Sequence, residues 1–404
     1  MKVNPFAKVG IVLGSAALAV CTLTAPAHAD IQSGYATLVG FGSDTTQDVM
    51  NAIAHDINET AGSNLIQSVD ATKVGAALGT PEKVVVRAGQ SSANGTPRAA
   101  GSGEGYNLLK FSLGLTSSGT AKDVAGNVQT LTKANTIGKI DFSRASSKRG
   151  SNQNSSGVIV NIPFAKDAVT VAFNPASHLA DVSSFAKGAS GDSNYSLAAD
   201  PLSLYKVYHC STRYLYYIGG VFVGAGASAT PATDNSTDAT NWKTAVGDIT
   251  GLVAYPIGAT IPKSGSGTRD FMAGQLGTTT GTWETDYSCV YSTWDGTNTL
   301  TRATGATNIE EHDGTVANAV TDALAFYSIP MWVGQSRPLI SGATDRRHGV
   351  VLGSVKSSGT VYAPTTGSGD TYATNPSFPI NRVVYNVVSS KLADDTTSDI
   401  YAMF

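Results

Sequence analysis

Three segments of the sequence repeat one order of features: an apolar, strand-like run, a turn rich in glycine, serine and threonine, and the start of a helix. They are "VGFGSDTTQDVM" at 39–50, "AGSGEGYNLL" at 100–109 and "SGSGTRDFM" at 264–272. Strands that alternate with helices in this way predict an α/β protein with mixed, mostly parallel sheets.

Hydrophobic patterns extend this prediction along the chain. Apolar runs predict buried strands at 83–89, 158–162, 168–173, 323–329, 349–355 and 382–388. Helical spacing of apolar residues predicts helices at 45–58, 103–115 and 268–276. Polar stretches rich in small residues predict surface loops at 115–128, 148–157, 186–198, 226–241, 277–306 and 356–378.

The first 29 residues have the pattern of an export signal. Lys2 and Lys8 accompany a short apolar run at 9–20, and small residues before position 30 predict cleavage after Ala29. The run is too short and too rich in alanine and glycine for a membrane span. Val20 fits a lipid-attachment motif at Cys21 poorly, so no lipid anchor is expected. We therefore expect an exported protein, located outside the cell, in the envelope or in a periplasm.

Charge and cysteine content narrow the classes of function. Without the signal the chain has 25 basic and 30 acidic residues, and this mildly acidic balance argues against general nucleic-acid binding. Cys210 and Cys289 form an even pair, which predicts one disulfide in an oxidising compartment. The histidines and cysteines have no metal-type spacing, so neither a metal nor another cofactor is predicted.

The three turns share a chemistry that suits a small anion. The start of a helix has unpaired backbone N–H groups and a partial positive charge. Glycine lets the backbone come close to a ligand, and serine and threonine hydroxyls add donors. In the third turn Arg269 adds a fork of donors that fits an oxyanion. In the first turn Asp44 has two compatible interpretations, a helix N-cap and a ligand acceptor.

The order of these segments resembles that of the phosphate-binding proteins of ABC transporters, which have the type II periplasmic-binding-protein fold. The resemblance covers most of residues 36–390 and is carried by "GFGSDTTQ" (40–47), "GSGEG" (101–105), "KIDFSRASSKRG" (139–150), "IPFAKDAVTVAFNP" (162–175), "NW" (241–242) before "SGSGTR" (264–269), and "FPINRVVYNVV" (378–388).

This resemblance implies a two-lobed binding protein with a ligand cleft between the lobes. Lobe one would comprise 30–165 with 345–404, and lobe two 166–344. The protein would capture phosphate or a similar oxyanion, deliver it to a membrane permease, and have no enzymatic activity. The implied ligand residues are Ser43, Asp44, Thr45, Ser102, Ser143, Arg144, Ser266, Gly267, Thr268 and Arg269.

The chain departs from the family pattern at two positions. Many members have an arginine four residues before the serine of Ser-Gly-Thr, where this chain has Pro262. Many have an aspartate where this chain has Arg144, and that aspartate excludes sulfate by accepting a hydrogen bond from the protonated anion. Asp44, Asp141 or Glu104 could replace it, and if none does, the ligand could be another anion.

Two alternative functions remain open. The chain could be a secreted or surface protein that keeps the fold and binds a protein or glycan partner through the loops at 226–241 and 277–306. It could also be a phosphate-releasing enzyme that uses the same pocket. However, neither Ser102 nor Ser266 lies in a Gly-x-Ser-x-Gly motif, and no Walker A loop is present. The acidic segment "NIEEHDGT" (308–315), which contains His312, is predicted to be a surface loop rather than an acid–base site.

Overall fold

The computed structural model describes residues 34–71, 82–124, 126–149, 158–337 and 344–403. The predicted signal at 1–29 and most of the predicted loop at 148–157 lie outside these ranges. Helices and mixed sheets alternate along the chain, so the predicted α/β class is confirmed. None of the helices in the described ranges is long and apolar enough to cross a membrane.

The strands are numbered in chain order. They are β1 (Leu38–Gly42), β2 (Ile66–Ser68), β3 (Lys83–Val84), β4 (Thr96–Pro97), β5 (Thr120–Lys122), β6 (Val128–Thr130), β7 (Phe142–Ala145), β8 (Ile159–Phe173), β9 (Phe185–Ala186), β10 (Ser196–Leu197), β11 (Leu202–Ser203), β12 (Tyr214–Ile218), β13 (Val221–Gly226), β14 (Leu252–Pro256), β15 (Gly258–Thr260), β16 (Val290–Tyr291), β17 (Thr293–Trp294), β18 (Thr307–Asn308), β19 (Ala323–Ser328), β20 (Val351–Leu352), β21 (Val355–Ser357), β22 (Thr360–Tyr362), β23 (Thr365–Thr366), β24 (Ala373–Thr374) and β25 (Asn381–Ser389).

The helices are numbered in the same way. They are α1 (Gln47–Ala61), α2 (Ser102–Ser112), α3 (Leu204–Tyr208), α4 (Thr237–Val246), α5 (Gly267–Leu276), α6 (Trp283–Asp286), α7 (Thr315–Ala319), α8 (Ile329–Gln335), α9 (Ser390–Asp394) and α10 (Asp399–Met403). Short 3-10 turns occupy Asp44–Thr46, His178–Asp181, Pro231–Thr233 and Gly369–Thr371.

The largest sheet of the described residues has nine strands, in the order β16-β15-β19-β8-β25-β7-β1-β2, with β20 also on β8. Its two ends are parallel, since β1 pairs with β2 and β7, and β15 pairs with β16 and β19. Its centre is antiparallel, because the long strands β8 and β25 pair with each other and with β19 and β7. The sheet is therefore mixed, as predicted, but the expectation of mostly parallel strands is wrong, because antiparallel pairs outnumber parallel ones among the described residues and the longest strands, β8 and β25, pair antiparallel.

Apolar side chains form separate groups on the two sides of the β8–β25 pair. The first group packs α2 against β1, with Phe41, Leu108 and Phe111 buried. The largest group joins α5 to β19 and includes Met272 and Phe326. Strand β8 contributes to both groups: Ile159 at its start packs in the first, and Val169, Val171 and Phe173 near its end pack in the second. The centre of the sheet thus links two separately packed regions.

The C-terminal part of the chain also divides between these groups. Val355, Phe378 and Ile380 pack with the second group, whereas Val387 packs with the first. The chain crosses between the groups within β25. The predicted assignment of all of 345–404 to lobe one has no independent test and stays a prediction, but the apolar contacts of 355–380 are with the second region.

The predicted disulfide is present. Cys210, just after α3, is bonded to Cys289, just before β16, and the two Cα atoms are 5.6 Å apart. The bond therefore closes a loop of 79 residues within the second region.

Several local predictions were wrong. The predicted strand at 83–89 is reduced to β3, because the Gln90 side chain accepts the backbone N–H groups of Val86 and Arg87 that a partner strand would need. The predicted loop 226–241 contains the start of α4, and 277–306 contains α6, β16 and β17. These short elements are stabilised by contacts distant in sequence, which local composition does not record.

Candidate functional site

The turns that precede α2 and α5 pack directly against each other. The backbone N–H of Gly103 donates to the carbonyl oxygen of Gly265, 3.2 Å away. Gly101 has a φ of 101°, and a Cβ added there would lie only 2.7 Å from the Gly265 oxygen. Glycine is therefore required at position 101 both by its backbone conformation and by this close approach. The N-termini of two helices from different packed regions consequently meet at one place.

Two serine hydroxyls lie against the first turn of α5. The hydroxyls of Ser102 and Ser146 are 3.0 Å apart, and the Ser146 backbone N–H donates to the Ser102 oxygen at 3.0 Å. A Cβ on Gly267 would lie 2.0 Å from the Ser146 oxygen and 2.4 Å from that of Ser102. The missing side chain at Gly267 thus allows both hydroxyls to reach the helix N-terminus.

Arg382 on β25 joins this helix start to the first turn. Its guanidinium donates to the Gly267 carbonyl at 3.1 Å, to the Thr268 hydroxyl at 2.9 Å and to the Thr45 hydroxyl at 3.4 Å. The side chain is buried and forms an ion pair with Asp167 of β8. Asp167 also accepts from the Ser328 hydroxyl at 2.7 Å, which fixes the orientation of the pair.

His312 supports Thr45 from the other side. One ring nitrogen, Nδ1, accepts from the backbone N–H of Ser328 at 3.0 Å, so Nε2 carries the proton and donates to the Thr45 hydroxyl at 2.7 Å. Burial lowers the pKa of His312 to about 4, so the ring is neutral at pH 7. Because the nitrogen facing Thr45 is a donor, this pair is not a nucleophile with its general base.

Two carboxyl groups are buried in contact beside α5. Glu311 accepts hydrogen bonds from the Ser266 hydroxyl and, at 3.2 Å, from the Thr268 backbone N–H. Its carboxyl group is also hydrogen-bonded to that of Asp44. Burial and the nearby Glu311 charge raise the pKa of Asp44 well above its usual value. Asp44 therefore keeps its proton and donates a hydrogen bond to the ionised carboxylate of Glu311.

This acid pair has spare hydrogen-bonding capacity. Oδ1 of Asp44 and Oε1 of Glu311 are both buried, and among the described residues neither has a hydrogen-bond partner outside the pair. A buried acceptor without a donor is costly, so such atoms mark a place where a donor is expected.

A second arginine lies at the same helix start. Arg149 forms an ion pair with Asp270 in the first turn of α5, with Nη1 and Oδ2 2.8 Å apart. Its Nη2 is 3.1 Å from the position of a Cβ on Gly267. Nε and Nη2 are buried without a hydrogen-bond partner in the described part of the chain. The start of α5 thus faces donors from two arginines.

Arg269 does not face this cluster. Its guanidinium makes two hydrogen bonds to the carboxylate of Glu284, at 2.8 and 2.6 Å. The remaining three N–H groups donate to the backbone carbonyls of Thr280 and Pro262. All five of its donors are therefore used in tying α5 to the chain before α6.

Arg144 is likewise engaged elsewhere. It is fully buried and donates to the carbonyls of Ser43 and Val69, at 3.1 and 2.9 Å, and to the Ser68 hydroxyl at 2.6 Å. Burial lowers its pKa to about 10, which leaves the guanidinium charged at pH 7. Arg144 thereby fastens the turn after β1 to the end of β2.

The structure brings together six of the residues predicted for the ligand site: Asp44, Thr45, Ser102, Ser266, Gly267 and Thr268. The Ser43 hydroxyl is buried without a partner among the described residues. Ser143 donates only to the Arg144 carbonyl, at 3.4 Å, and Ser146 supplies the hydroxyl of that segment to the cluster.

The three candidate acceptors are separated. Asp141 forms an ion pair with Arg87 and accepts from the Val39 N–H at 2.7 Å, away from the cluster. Glu104 accepts from the Lys122 N–H at 2.9 Å and lies beside Gly265. Asp44 is the member of the three that contacts Glu311 in the cluster.

The residues that distant segments contribute to the cluster were not predicted from the sequence. The prediction that 308–315 is a surface loop is wrong at its centre, because Glu311 is 2% exposed and His312 is fully buried. Arg382 and Ser146 lie within motifs noted above, "FPINRVVYNVV" and "KIDFSRASSKRG", but at positions that received no role. Nothing in the sequence around Asp167 indicates its pairing with Arg382.

Comparison with known proteins gives only distant similarity. No family model matches the chain, and neither does any curated protein sequence. Among solved structures, the chain is similar to an ABC-type phosphate transport receptor from Vibrio cholerae, with 14% identity, 91% of this chain and 92% of that chain covered, and a TM-score of 0.38. It is also similar to PstS from Borrelia burgdorferi, with 11% identity, 87% and 86% coverage, and a TM-score of 0.34. These superpositions assign no residue role here, and the site rests on the contacts described above.

Proposed function

We propose that this protein is an extracytoplasmic solute-binding protein that captures a small oxyanion, with inorganic phosphate as the first candidate, for an ABC transporter. The main support for the proposal is that the side chains of Thr45, Ser102 and Thr268 meet at the start of α5, where Arg382 also donates to Thr268. These residues come from three Gly/Ser/Thr turns and one distant strand, and no short-range feature explains their meeting.

The chemistry of the cluster suits an oxyanion. Taking an anion out of water is costly unless its oxygens receive hydrogen bonds. The start of α5 has a partial positive charge and backbone N–H groups, of which that of Thr268 is now bonded to Glu311 and that of Arg269 to the Ser266 hydroxyl. The hydroxyls of Ser102, Ser146 and Thr45 add neutral donors, and Arg149 adds unpaired guanidinium N–H groups.

Binding would require the two packed regions to separate and close again around the ligand. The contacts Gly103–Gly265 and Thr45–Thr268 now join those regions directly. Strands β8 and β25 run between the regions and are the natural hinge for such a movement. In this proposal the two regions are the lobes of a type II periplasmic-binding-protein-like fold.

Selection of phosphate over sulfate would depend on the buried carboxyls. Sulfate has no proton to donate near neutral pH, whereas phosphate does. Oδ1 of Asp44, which has no partner outside the acid pair among the described residues, could accept that proton's hydrogen bond, whereas an anion without a proton would place a second acceptor against it. Asp44 would thus take the role that the resembled family gives to the aspartate replaced here by Arg144.

Calorimetric titration of the mature, ligand-stripped protein with phosphate, and separately with sulfate, tests the proposal. We expect phosphate to bind and sulfate to bind far more weakly. Thr268→Val and Ser102→Ala each remove one donor and should weaken phosphate binding about ten-fold, because one charge-assisted hydrogen bond contributes about 1.5 kcal/mol or more. Thr240→Val, on the exposed face of α4, is the matched control and should leave the affinity unchanged.

Two outcomes would reject the proposal. If Thr268→Val and Ser102→Ala bind phosphate as the wild type does, the ligand site is elsewhere. If neither phosphate nor sulfate binds, the fold serves another ligand, and partner proteins or glycans become the next candidates. Fractionation of cells that produce the full chain would test export and retention at the envelope.

A further inference from the structure

The Glu311 carboxylate occupies the position at which an oxyanion would bind to α5. It accepts hydrogen bonds from the Ser266 hydroxyl and from the backbone N–H of Thr268, two donors at the start of this ten-residue helix. Glu311 comes from the segment between β18 and α7 and lies 43 residues after Thr268, the helix residue whose N–H it accepts. A negative group of the protein itself therefore uses donors that a bound oxyanion would need.

The charge of Glu311 makes joint occupancy unfavourable. Glu311 is 2% exposed, so water screens it poorly from a second negative group in the same place. Two buried anions in contact cannot both remain ionised without a large cost, and usually one of them takes up a proton. In the Asp44–Glu311 pair, burial and the Glu311 charge raise the pKa of Asp44, whereas the hydrogen bonds from Asp44 and Ser266 hold the pKa of Glu311 below its usual value, so a bound anion would have to reverse the shift of Glu311.

We propose that Glu311 acts as an internal competitor for the bound anion, so that oxyanion binding is coupled to the uptake of one proton by Glu311. This inference rests on the proposed function and specifies how that same site is regulated. With Glu311 neutral, its carboxyl can donate a hydrogen bond to the anion instead of repelling it. Binding should consequently strengthen as the pH falls.

Other charged groups around Glu311 set the balance of this competition. Asp44 in the turn after β1, Glu310 and His312 beside Glu311, and Arg382 on β25 act on Glu311 itself. Lys263 before α5 acts on Asp44, and Asp167 on β8 and Arg346 before β20 act on His312. Lys263 is paired with Glu310, and Arg382 with Asp167, so both of these cations already have a carboxylate partner. His312 stays neutral above a pH of about 4. Glu311 itself is thus the group whose charge a bound anion opposes most directly.

Glu311→Gln is the decisive variant. Glutamine has nearly the same shape, and its carbonyl oxygen can still accept from Ser266 and Thr268, but it carries no charge at any pH. We expect this variant to bind phosphate on the order of ten-fold more tightly than the wild type at pH 8, because one like-charge contact is removed. Glu59→Gln, an exposed position on α1, is the matched control and should behave as the wild type.

Calorimetry with inorganic phosphate in buffers of different ionisation enthalpy counts the protons taken up on binding. Phosphate itself can exchange protons, but it does so equally with each variant. We therefore expect the wild type and Glu59→Gln to take up about one proton more than Glu311→Gln does. Asp44→Asn should keep the extra proton, because an asparagine can still donate to an ionised Glu311.

An infrared difference spectrum of the wild-type protein on addition of phosphate gives a second measurement that needs no variant to fold. We expect the loss of a carboxylate band and the gain of a protonated-carboxyl band. Phosphate binding with equal proton uptake in the wild type and Glu311→Gln, or without a new protonated-carboxyl band, would overturn the inference and leave the proposed function standing. Absence of phosphate binding in both proteins would instead count against the proposed function.

Discussion

Replacing Arg269 by methionine separates two roles for this residue, and the structure favours the architectural one. The sequence predicts that Arg269 binds the anion, whereas its five N–H groups are used by Glu284, Thr280 and Pro262. If these contacts are its main role, Arg269→Met should destabilise the protein strongly. The variant should change phosphate affinity little, since Thr268, Ser102 and Arg382 keep their contacts.

The size of the loss follows from the burial of the pair. Removing one partner of a buried ion pair costs about 3–5 kcal/mol, because the other charge is left without compensation. Glu284 keeps 23% of its side chain exposed, so water partly compensates its charge. We therefore expect a loss of about 3 kcal/mol. This corresponds to a fall in Tm of about 6–12 °C, using about 2–4 °C per kcal/mol for a packed unit of 150–250 residues.

Thermal unfolding followed by tryptophan fluorescence suits this test, because the buried Trp283 is adjacent to Glu284. The double variant Arg269→Met with Glu284→Gln should recover part of the loss, since no buried carboxylate is then left unpaired. A normal Tm together with abolished phosphate binding would refute this reasoning and establish the ligand role that the sequence predicts.

Three further predictions concern single features of the structure. Gly267→Ala places a methyl group 2.0 Å from the Ser146 oxygen, so we expect about 1–3 kcal/mol of destabilisation in urea unfolding and weaker phosphate binding. Gly274→Ala, inside α5 with open space around it, is the matched control and should stabilise the protein by about 0.5–1 kcal/mol. Replacing Cys210 and Cys289 together by serine opens a 79-residue loop and should cost up to about 4–5 kcal/mol in the same assay, and an unchanged midpoint would contradict this. The pKa of His312 is about 4 in the folded protein and about 6.5 in the unfolded chain, so below about pH 6.5 the unfolded chain binds more protons. The free energy of unfolding should therefore fall by up to about 3 kcal/mol as the pH drops toward 4. His312→Gln should remove this contribution to the pH dependence, and the same slope in both proteins would show that another group is responsible.

Local sequence patterns predicted the elements that begin the site. Helices α1, α2 and α5 were expected at 45–58, 103–115 and 268–276, and they span Gln47–Ala61, Ser102–Ser112 and Gly267–Leu276. These helices carry amphipathic spacing and glycine-rich starts, which are properties of neighbouring residues. Predictions of this kind succeed because the information lies within one segment.

Predictions failed where a residue's partner lies far away in the chain. The segment 308–315 has the polar composition of a surface loop, yet Glu311 is buried because it contacts Ser266 and Thr268. Composition alone indicates exposure for such a segment, since acids are rarely buried unless they find partners. Those partners are known only when the fold is known.

The two arginines Arg269 and Arg382 show the same limit within the site. Arg269 follows the Ser-Gly-Thr turn directly, and that position made it the natural candidate for an anion. Its direction is decided by Glu284, 15 residues onward, which binds the guanidinium from outside the cluster. Arg382 lies 114 residues after Thr268 and yet contacts its hydroxyl, because the antiparallel pairing of β25 with β8 sets it beside Asp167 at the centre of the sheet. Which arginine reaches the cluster is therefore decided by the carboxylate that each one meets in the fold, and not by its distance in sequence from the turn.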